Sequence, residues 1–187
     1  KGDPVFIPLE FIKKKKTNFE ETLSKEFMYK LEKSIVCYRL RARGLLVHNP
    51  TLPVKESPNL YAIAIHILAD GCASEENIPY YCNKDQILIK NFIRELEISG
   101  DIKTKIFKRQ PDDTIYVYFP TAIARVLEFI LKTRFVRPES LPKLLMNTSN
   151  ENIIAALRAF MDDEGCVSNG RIYVSQKSRN ILRQLKT

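Results

Sequence analysis

Histidine is scarce in this 187-residue chain, and its cysteines do not have metal-binding spacing. There are two histidines, and the four cysteines form no Cys-x-x-Cys motif: Cys37, Cys72, Cys82 and Cys166. Structural zinc sites are built from four such ligands at short, regular spacings. The sequence therefore argues against a zinc site and predicts reduced thiols, as is typical of intracellular proteins.

Long apolar runs are also missing. No stretch approaches the roughly 20 apolar residues with which a helix crosses a bilayer. No secretory signal is visible after Lys1, which stands first in the sequence. We therefore expect an intracellular protein, cytoplasmic or organellar if eukaryotic, with no membrane partner.

Negative charge is in deficit. Lys and Arg number 30 against 22 Asp and Glu, which gives a net charge of +8 and a pI near 9.3. A basic domain of this size is typical of proteins that bind nucleic acid, although a basic protein without such a partner has the same balance. The charge therefore favours a polyanionic partner and does not prove one.

The sequence does contain one ten-residue phrase that occurs twice. Residues 62–71 and 156–165 are both Ala-rich apolar stretches that end in an acid and a glycine, at Asp70-Gly71 and Glu164-Gly165. Further along, Tyr80–Lys84 is matched by Tyr173–Lys177 at nearly the same offset. Such repetition predicts two copies of one unit, each ending a helix with a carboxylate.

The patterns around the first phrase predict a complete unit. We expect a helix from a cap at Asn59 to Ala69, stopped by a left-handed Gly71, and then strands, helices and a hairpin turn at 110–113. The predicted elements are strands 71–74 and 78–83, helix 85–96, strands 102–109 and 114–119, and helix 121–132. Alternation over 102–109 places Lys103 and Lys105 on one face of a strand.

The second unit repeats only the opening of the first. Its pattern predicts a helix over 150–164, a strand over 171–176 and a helix from Ser178. The predicted divisions are a basic extension over 1–48, a first unit with its connector over 49–149, and an incomplete second unit over 150–187. Within the extension, helical spacing predicts a long amphipathic helix from Asn18 to about Arg43.

The acid at the end of each helix carries a chemical implication. A helix C-terminus has partial negative charge, so two such ends with carboxylates repel each other unless a cation lies between them. Carboxylate oxygens suit Mg²⁺, and a metal shared between acids can activate water for phosphodiester hydrolysis. Two unrelated core helices with acid-Gly turns are the alternative, and His66 is expected to be a packed histidine rather than a ligand.

The two phrases resemble the paired motifs of the LAGLIDADG homing endonucleases. The order helix-strand-strand-helix-strand-strand-helix is similar, as is the run from Arg134 to Pro142 that leads into the second motif helix. The resemblance covers about residues 50–187. It implies an α+β fold of tandem αββαββα repeats, with antiparallel saddle-shaped sheets and two motif helices packed at a pseudo-twofold axis.

The same resemblance implies a monomeric, site-specific endonuclease that cleaves double-stranded DNA with Mg²⁺ or Mn²⁺. Asp70 and Glu164 would be the metal-binding, catalytic acids. Asn83 and Gln176 would be catalytic polar neighbours of the scissile phosphate. Arg137, with Arg134 as second choice, would be a basic residue that assists the chemistry.

The expected DNA contacts are strand residues and the lysines that follow the site amides. Polar alternation on a β-ribbon suits a major groove, although it is also typical of an ordinary solvated sheet. The candidate DNA-binding residues are Lys84, Lys103, Lys105, Tyr116, Tyr118, Arg171, Tyr173, Ser175 and Lys177.

The first motif departs from the family pattern at two positions. Leu68 stands where the family has an acid that Asp162 keeps, and Ile65 stands where a small residue is usual and Ala159 keeps one. A protein of the same fold without catalysis is therefore an alternative, either a DNA-binding regulator or a splicing maturase that binds structured RNA. A third possibility is the endonuclease insert of an intein.

Overall fold

In the computed structural model, the described residues are 37–38, 45, 47–48, 56–73, 78–131, 135 and 140–186. They form an α+β structure with antiparallel strands. The helices are α1 (Pro58–Asp70), α2 (Gln86–Leu96), α3 (Thr121–Leu131), α4 (Asn150–Glu164) and α5 (Arg179–Gln184), with 3-10 turns at Glu97–Ser99 and Lys143–Asn147. The strands are β1 (Cys37–Tyr38), β2 (Val47–His48), β3 (Gly71–Cys72), β4 (Tyr80–Asn83), β5 (Asp101–Ile102), β6 (Lys105–Lys108), β7 (Ile115–Tyr118), β8 (Gly165–Ser168) and β9 (Arg171–Val174).

Helix α1 is the centre of the molecule. Every side chain from Leu60 to Leu68 is buried, as expected for a helix that is apolar all round. Its most extensive contact with another element is with α4. The small residues Ala62, Ala156 and Ala159 are all buried, which suits two helices that approach closely.

Helices α1 and α4 run side by side in the same direction. At their N-terminal ends, Glu56 accepts hydrogen bonds from Tyr61, from Asn152 at 3.3 Å and from the Thr148 hydroxyl. At their C-terminal ends, His66 reaches Asp163. Two helix C-termini and their acids therefore lie at the same end of the pair.

The first sheet has the strand order β3-β4-β7-β6, and all its pairs are antiparallel. Tyr81 pairs with Gly71 on one side and with Val117 on the other. The side chains of Tyr81 and Val117 are fully buried beneath α1 and α2. The predicted hairpin at 110–113 is confirmed, because it joins β6 to β7. The other face of the sheet carries Tyr80, Tyr116 and Tyr118.

The predicted strand over 102–109 is wrong as a single element. It is divided into β5 and β6, and Lys103 and Thr104 lie between them outside any strand. The physical reason is that β5 pairs with β2 in a separate sheet, with Ile102 opposite the fully buried Val47, whereas β6 pairs with β7. Lys103 is exposed, and strand alternation does not place it on one face with Lys105.

Two details of helix α1 also differ from expectation. Ser57 rather than Asn59 caps it, since the Ser57 hydroxyl accepts from the Leu60 amide at 3.3 Å. Gly71 is extended (φ −121°) rather than left-handed. A side chain is excluded there because a Cβ would lie 2.7 Å from Ile67 Cα and 2.8 Å from the carbonyl oxygen of Tyr80.

The second sheet consists of β8 and β9, and it opens in the same way as the first. Gly165 is the first residue after α4 and pairs with Val174, just as Gly71 follows α1 and pairs with Tyr81. A Cβ on Gly165 would clash with the carbonyl oxygen of Met161. Val167 and Ile172 pair on the Val174 side of this ribbon and are 75% and 69% exposed.

Most of the long helix predicted over 18–43 lies outside the described residues. At Cys37–Tyr38 that prediction is wrong, because these residues form β1, which pairs with β2. Pairing with a partner strand overrides the local helical pattern there. Within the described residues, every helix is too short or too polar to cross a membrane.

Candidate functional site

The ends of α1 and α4 bring acidic side chains together. Asp70 is the last residue of α1, Glu164 is the last residue of α4, and Asp163 precedes Glu164. Burial, followed by the charges of Asp163 and Glu164, raises the pKa of Asp70 to about 6. Burial and the charge of Asp163 also raise the pKa of Glu164. Of the two acids predicted from the doubled phrase, Glu164 therefore disfavours the ionisation of Asp70 by its charge.

An amide from the following sheet contacts the terminal acid of each helix. Asn83 Nδ2 donates to Asp70 Oδ2 at 3.4 Å, and Gln176 Nε2 donates to Glu164 Oε1 at 3.0 Å. The amide oxygens accept from the chain just beyond, from the Asp85 amide at 2.9 Å and the Lys177 amide at 2.7 Å. Because each oxygen is held by backbone, each NH₂ group is turned toward its acid.

Asp163 is a site residue that the sequence analysis missed. Its side chain is fully buried, and Oδ1 accepts from the Tyr81 hydroxyl at 2.6 Å and from Asn83 Nδ2 at 3.3 Å. Oδ2 lies 2.7 Å from His66 Nδ1, with the ring N–H as donor and the carboxylate oxygen as acceptor. The sequence contained two signals for it. The second phrase ends in three consecutive acids, Asp162-Asp163-Glu164, and the first phrase has a histidine, His66, one helical turn before Asp70.

His66 is packed, as expected, and its two ring nitrogens face the carboxylates of Asp163 and Glu95. The residue is 3% exposed and its ring contacts those of Tyr81 and Phe92, at centroid distances of 5.2 and 6.0 Å. Burial lowers its pKa, but the hydrogen bond to Asp163 and the charge of Asp163 outweigh burial, so the pKa is raised. His66 Nε2 also lies 3.6 Å from Glu95 Oε2.

Tyr81 and Cys82 are neutral neighbours of the acids. Burial and the charge of Asp163 raise the pKa of Tyr81, so its hydroxyl stays a hydrogen-bond donor. Burial, and then the charge of Asp70, raise the pKa of Cys82 to about 11, and its thiol donates to the Asp70 carbonyl oxygen at 3.2 Å. A thiol that remains protonated is a poor metal ligand.

The predicted nucleic-acid contacts lie on the sheet surfaces and their loops. Tyr116 and Tyr118 are half-buried, with ring centroids 5.3 and 5.9 Å from that of Tyr80. Arg109, which was not predicted, donates to the Tyr116 hydroxyl at 3.3 Å. The remaining predicted contacts are all exposed: Lys84, Lys103, Lys105, Arg171, Tyr173, Ser175 and Lys177.

Strand register places most of these residues on the faces turned away from the core. Lys105 is opposite Tyr118, and Arg171 and Tyr173 alternate with Ile172 and Val174 on β9. Arg134 and Arg137, the candidates for a basic residue that assists the chemistry, lie outside the described residues.

The donor set fits a hard cation that needs few protein ligands. In the part of the chain that the structure describes, no three His, Cys, Asp or Glu side chains converge as a ready-made metal cage. Mg²⁺ is commonly held by one or two carboxylates, with waters and substrate phosphate completing its octahedron. Asp70 and Glu164 match that requirement.

A scan against protein-family models and a search of curated proteins found no match to this chain.

Proposed function

We propose that this chain is a LAGLIDADG-type endonuclease that hydrolyses phosphodiester bonds in double-stranded DNA with Mg²⁺ or Mn²⁺. One observation carries the proposal. Two packed, parallel helices each end in an acid, and each acid accepts a hydrogen bond from a side-chain amide at or just beyond the end of the second strand after its helix. A pair of unrelated core helices would have no reason to reproduce that bond in both copies.

The repeated local structure supports a pseudo-twofold arrangement of two units within one monomer. Gly71 opposite Tyr81 corresponds to Gly165 opposite Val174. The next helices are also capped alike, by Asp85 before α2 and by Ser178 before α5. A single chain would thus present two related halves to the two strands of a duplex.

The acids would hold the metal. The charge of Glu164 disfavours the ionisation of Asp70 at the negative ends of the two helices, and a cation bound by both acids would relieve that repulsion. A divalent ion bound there would supply an activated water and stabilise the leaving oxygen. Asn83 and Gln176 would keep the carboxylates oriented toward the ion.

The basic residues would hold the nucleic acid. Lys84 and Lys177 directly follow the two site amides and are exposed, so they are suited to contact phosphates on either side of the acids. The outer faces of the two sheets would follow the groove with Lys105, Tyr118, Arg171 and Tyr173. Arg137 remains the proposed basic residue near the scissile phosphate.

The test uses a library of DNA duplexes that each carry a randomised segment. The library is incubated with the protein, and the ends of the cut duplexes are sequenced. The wild-type chain with Mg²⁺ is expected to cut a limited set of sites, and cutting should stop in EDTA. Asp70→Asn and Glu164→Gln should each abolish cutting and retain duplex binding. The exposed Glu97→Gln is the matched control and should cut normally.

Binding without any cutting would favour a second candidate, a non-catalytic RNA-binding protein of the same fold. The aromatic surface of the first sheet is the specific observation in its favour. Tyr80, Tyr116 and Tyr118 form a cluster on the outer face, and unpaired bases of structured RNA stack on such rings. Tight binding of structured RNA in EDTA, with no nicking of duplex DNA under Mg²⁺ or Mn²⁺, would replace the endonuclease proposal.

A further inference from the structure

Asp163 differs from the other two acids because its oxygens are already occupied. Oδ1 accepts from Tyr81 and Asn83, and Oδ2 accepts from His66. The side chain has no exposed surface. A carboxylate that is buried and bonded to three donors is poorly placed to coordinate an ion, because each bond would have to be broken first.

The three donors come from the half of the molecule that contains Asp70. His66 lies on α1, one turn before Asp70, and Tyr81 and Asn83 lie on β4. Asp163 itself lies on α4, next to Glu164. This one carboxylate therefore connects the Asp70 side of the site to the Glu164 side.

Asn83 is the branch point of this connection. Its single NH₂ group lies 3.4 Å from Asp70 Oδ2, 3.3 Å from Asp163 Oδ1 and 3.3 Å from the Tyr81 hydroxyl. Gln176, by contrast, has one shorter bond of 3.0 Å to Glu164. The NH₂ group near Asp70 is therefore shared among three acceptors at longer distances, and Asp163 is one of the three.

The charge of Asp163 is matched inside the protein. A buried carboxylate is tolerated only when it is paired and hydrogen-bonded, and His66 does both at 2.7 Å. The polar partners of Asp163 are therefore all supplied from within the protein, by His66, Tyr81 and Asn83. It belongs to the framework of the site.

We propose that Asp163 is a positioning residue, which holds Asn83 and thereby Asp70 in register with Glu164, and that it is not a third metal ligand. This inference rests on the proposed metal-dependent function. It predicts that disturbing Asp163 weakens metal binding without removing a ligand.

Calorimetric titration of Mn²⁺ into the full chain without DNA tests the proposal. Asp163→Asn should weaken Mn²⁺ binding by about 10–100-fold, as loss of a residue that orients a ligand does. Asp162→Asn is the control, because it removes the same charge from the exposed neighbouring position. It should change the affinity much less.

Tyr81→Phe separates position from charge. It removes one donor to Asp163, keeps the ring and changes no charge, so the proposal expects Mn²⁺ binding weakened by about 2–10-fold. Cleavage assays across Mg²⁺ concentrations should show the same rise in the metal requirement, with duplex binding in EDTA unchanged for both variants. If Asp163→Asn does not fold, Tyr81→Phe decides the question.

Two outcomes overturn the inference and can be told apart. If the wild-type chain binds Mn²⁺ and cuts DNA, but Asp163→Asn matches Asp162→Asn or Tyr81→Phe matches the wild type, Asp163 is not a positioning residue and the proposed function stands. If the wild-type chain binds no divalent ion, the proposed function fails and this inference fails with it.

Discussion

Among single residues, the two site amides are held unequally, and this predicts unequal effects of removing them. Asn83→Ala takes a donor from both Asp70 and Asp163, whereas Gln176→Ala takes one from Glu164 alone. We expect about 10–100-fold slower single-turnover cleavage for Asn83→Ala and a smaller loss for Gln176→Ala. Asn91→Ala on α2, where the amide contacts Arg94 instead, is the control. Equal losses at 83 and 176 would contradict the unequal hydrogen bonding.

His66 predicts a pH dependence of stability. Because its pKa is raised in the folded state, its contribution is fully present below the unfolded value of about 6.5 and is lost as pH rises through the folded value. His66→Asn can still donate to Asp163 but does not titrate. We expect urea unfolding in EDTA to show a fall in wild-type stability above about pH 6.5 that the variant lacks.

The raised pKa values of Asp70, Glu95 and Glu164 also favour the protonated folded state. Their effect has the same sign, but it falls at lower pH, about pH 4 to 6 for Asp70. The difference between wild type and His66→Asn therefore isolates the histidine. Parallel pH profiles for the two proteins would mean that folding leaves the pKa of His66 unchanged.

Among the elements, the junctions between helix and strand predict a steric requirement for glycine. Gly71→Ala and Gly165→Ala would each place a Cβ less than 3.0 Å from backbone atoms. The clash cannot be relieved by rotating a neighbouring side chain, because the atoms involved belong to the backbone. Each should lower the free energy of unfolding by about 1–3 kcal/mol in urea titration. Gly170→Asn is the control, because its φ of +69° suits asparagine and no atom lies within 4 Å. A neutral Gly71→Ala would show that the junction can move.

Local signals predicted the elements whose partners are near in sequence. Helix α4 has the predicted bounds, and the hairpin between β6 and β7 follows from its turn residues. The start of α1 was missed by two residues because Pro58 fits the first position of a helix and moves the cap to Ser57. The break between β5 and β6 depends on Val47, far away in the chain, which alternation cannot indicate.

The site divides in the same way. The doubled phrase indicated Asp70 and Glu164, and the resemblance to the LAGLIDADG family indicated Asn83 and Gln176. Asp163 and His66 could be connected only once α1 and α4 were known to lie side by side in the same direction. Sequence repetition thus indicates what the two phrases share, and Asp163 is a feature of the second phrase alone.

At the scale of the whole molecule, the net charge predicts how the proposed nucleic-acid binding responds to salt. Each phosphate contact adds about 0.9 to the slope of log affinity against log salt concentration on duplex DNA. The double variant Lys105→Glu, Arg171→Glu should therefore reduce that slope by about 2, measured by fluorescence anisotropy in EDTA. Lys90→Glu is the control, because α2 packs on the opposite face of the first sheet. An unchanged slope would place the phosphates elsewhere.

The exposed ribbon of β8 and β9 has a consequence for how durable each half of the site is. Two strands alone are marginally stable in water, whereas β4 is flanked by β3 and β7 beneath two helices. Backbone amides in 165–174 should therefore exchange with deuterium sooner than those in 80–83. Glu164, at the end of α4, accepts its hydrogen bond from Gln176 just beyond this ribbon. Under the proposed function, a duplex bound on the ribbon would slow its hydrogen exchange and fix the position of the Glu164 carboxylate at the same time.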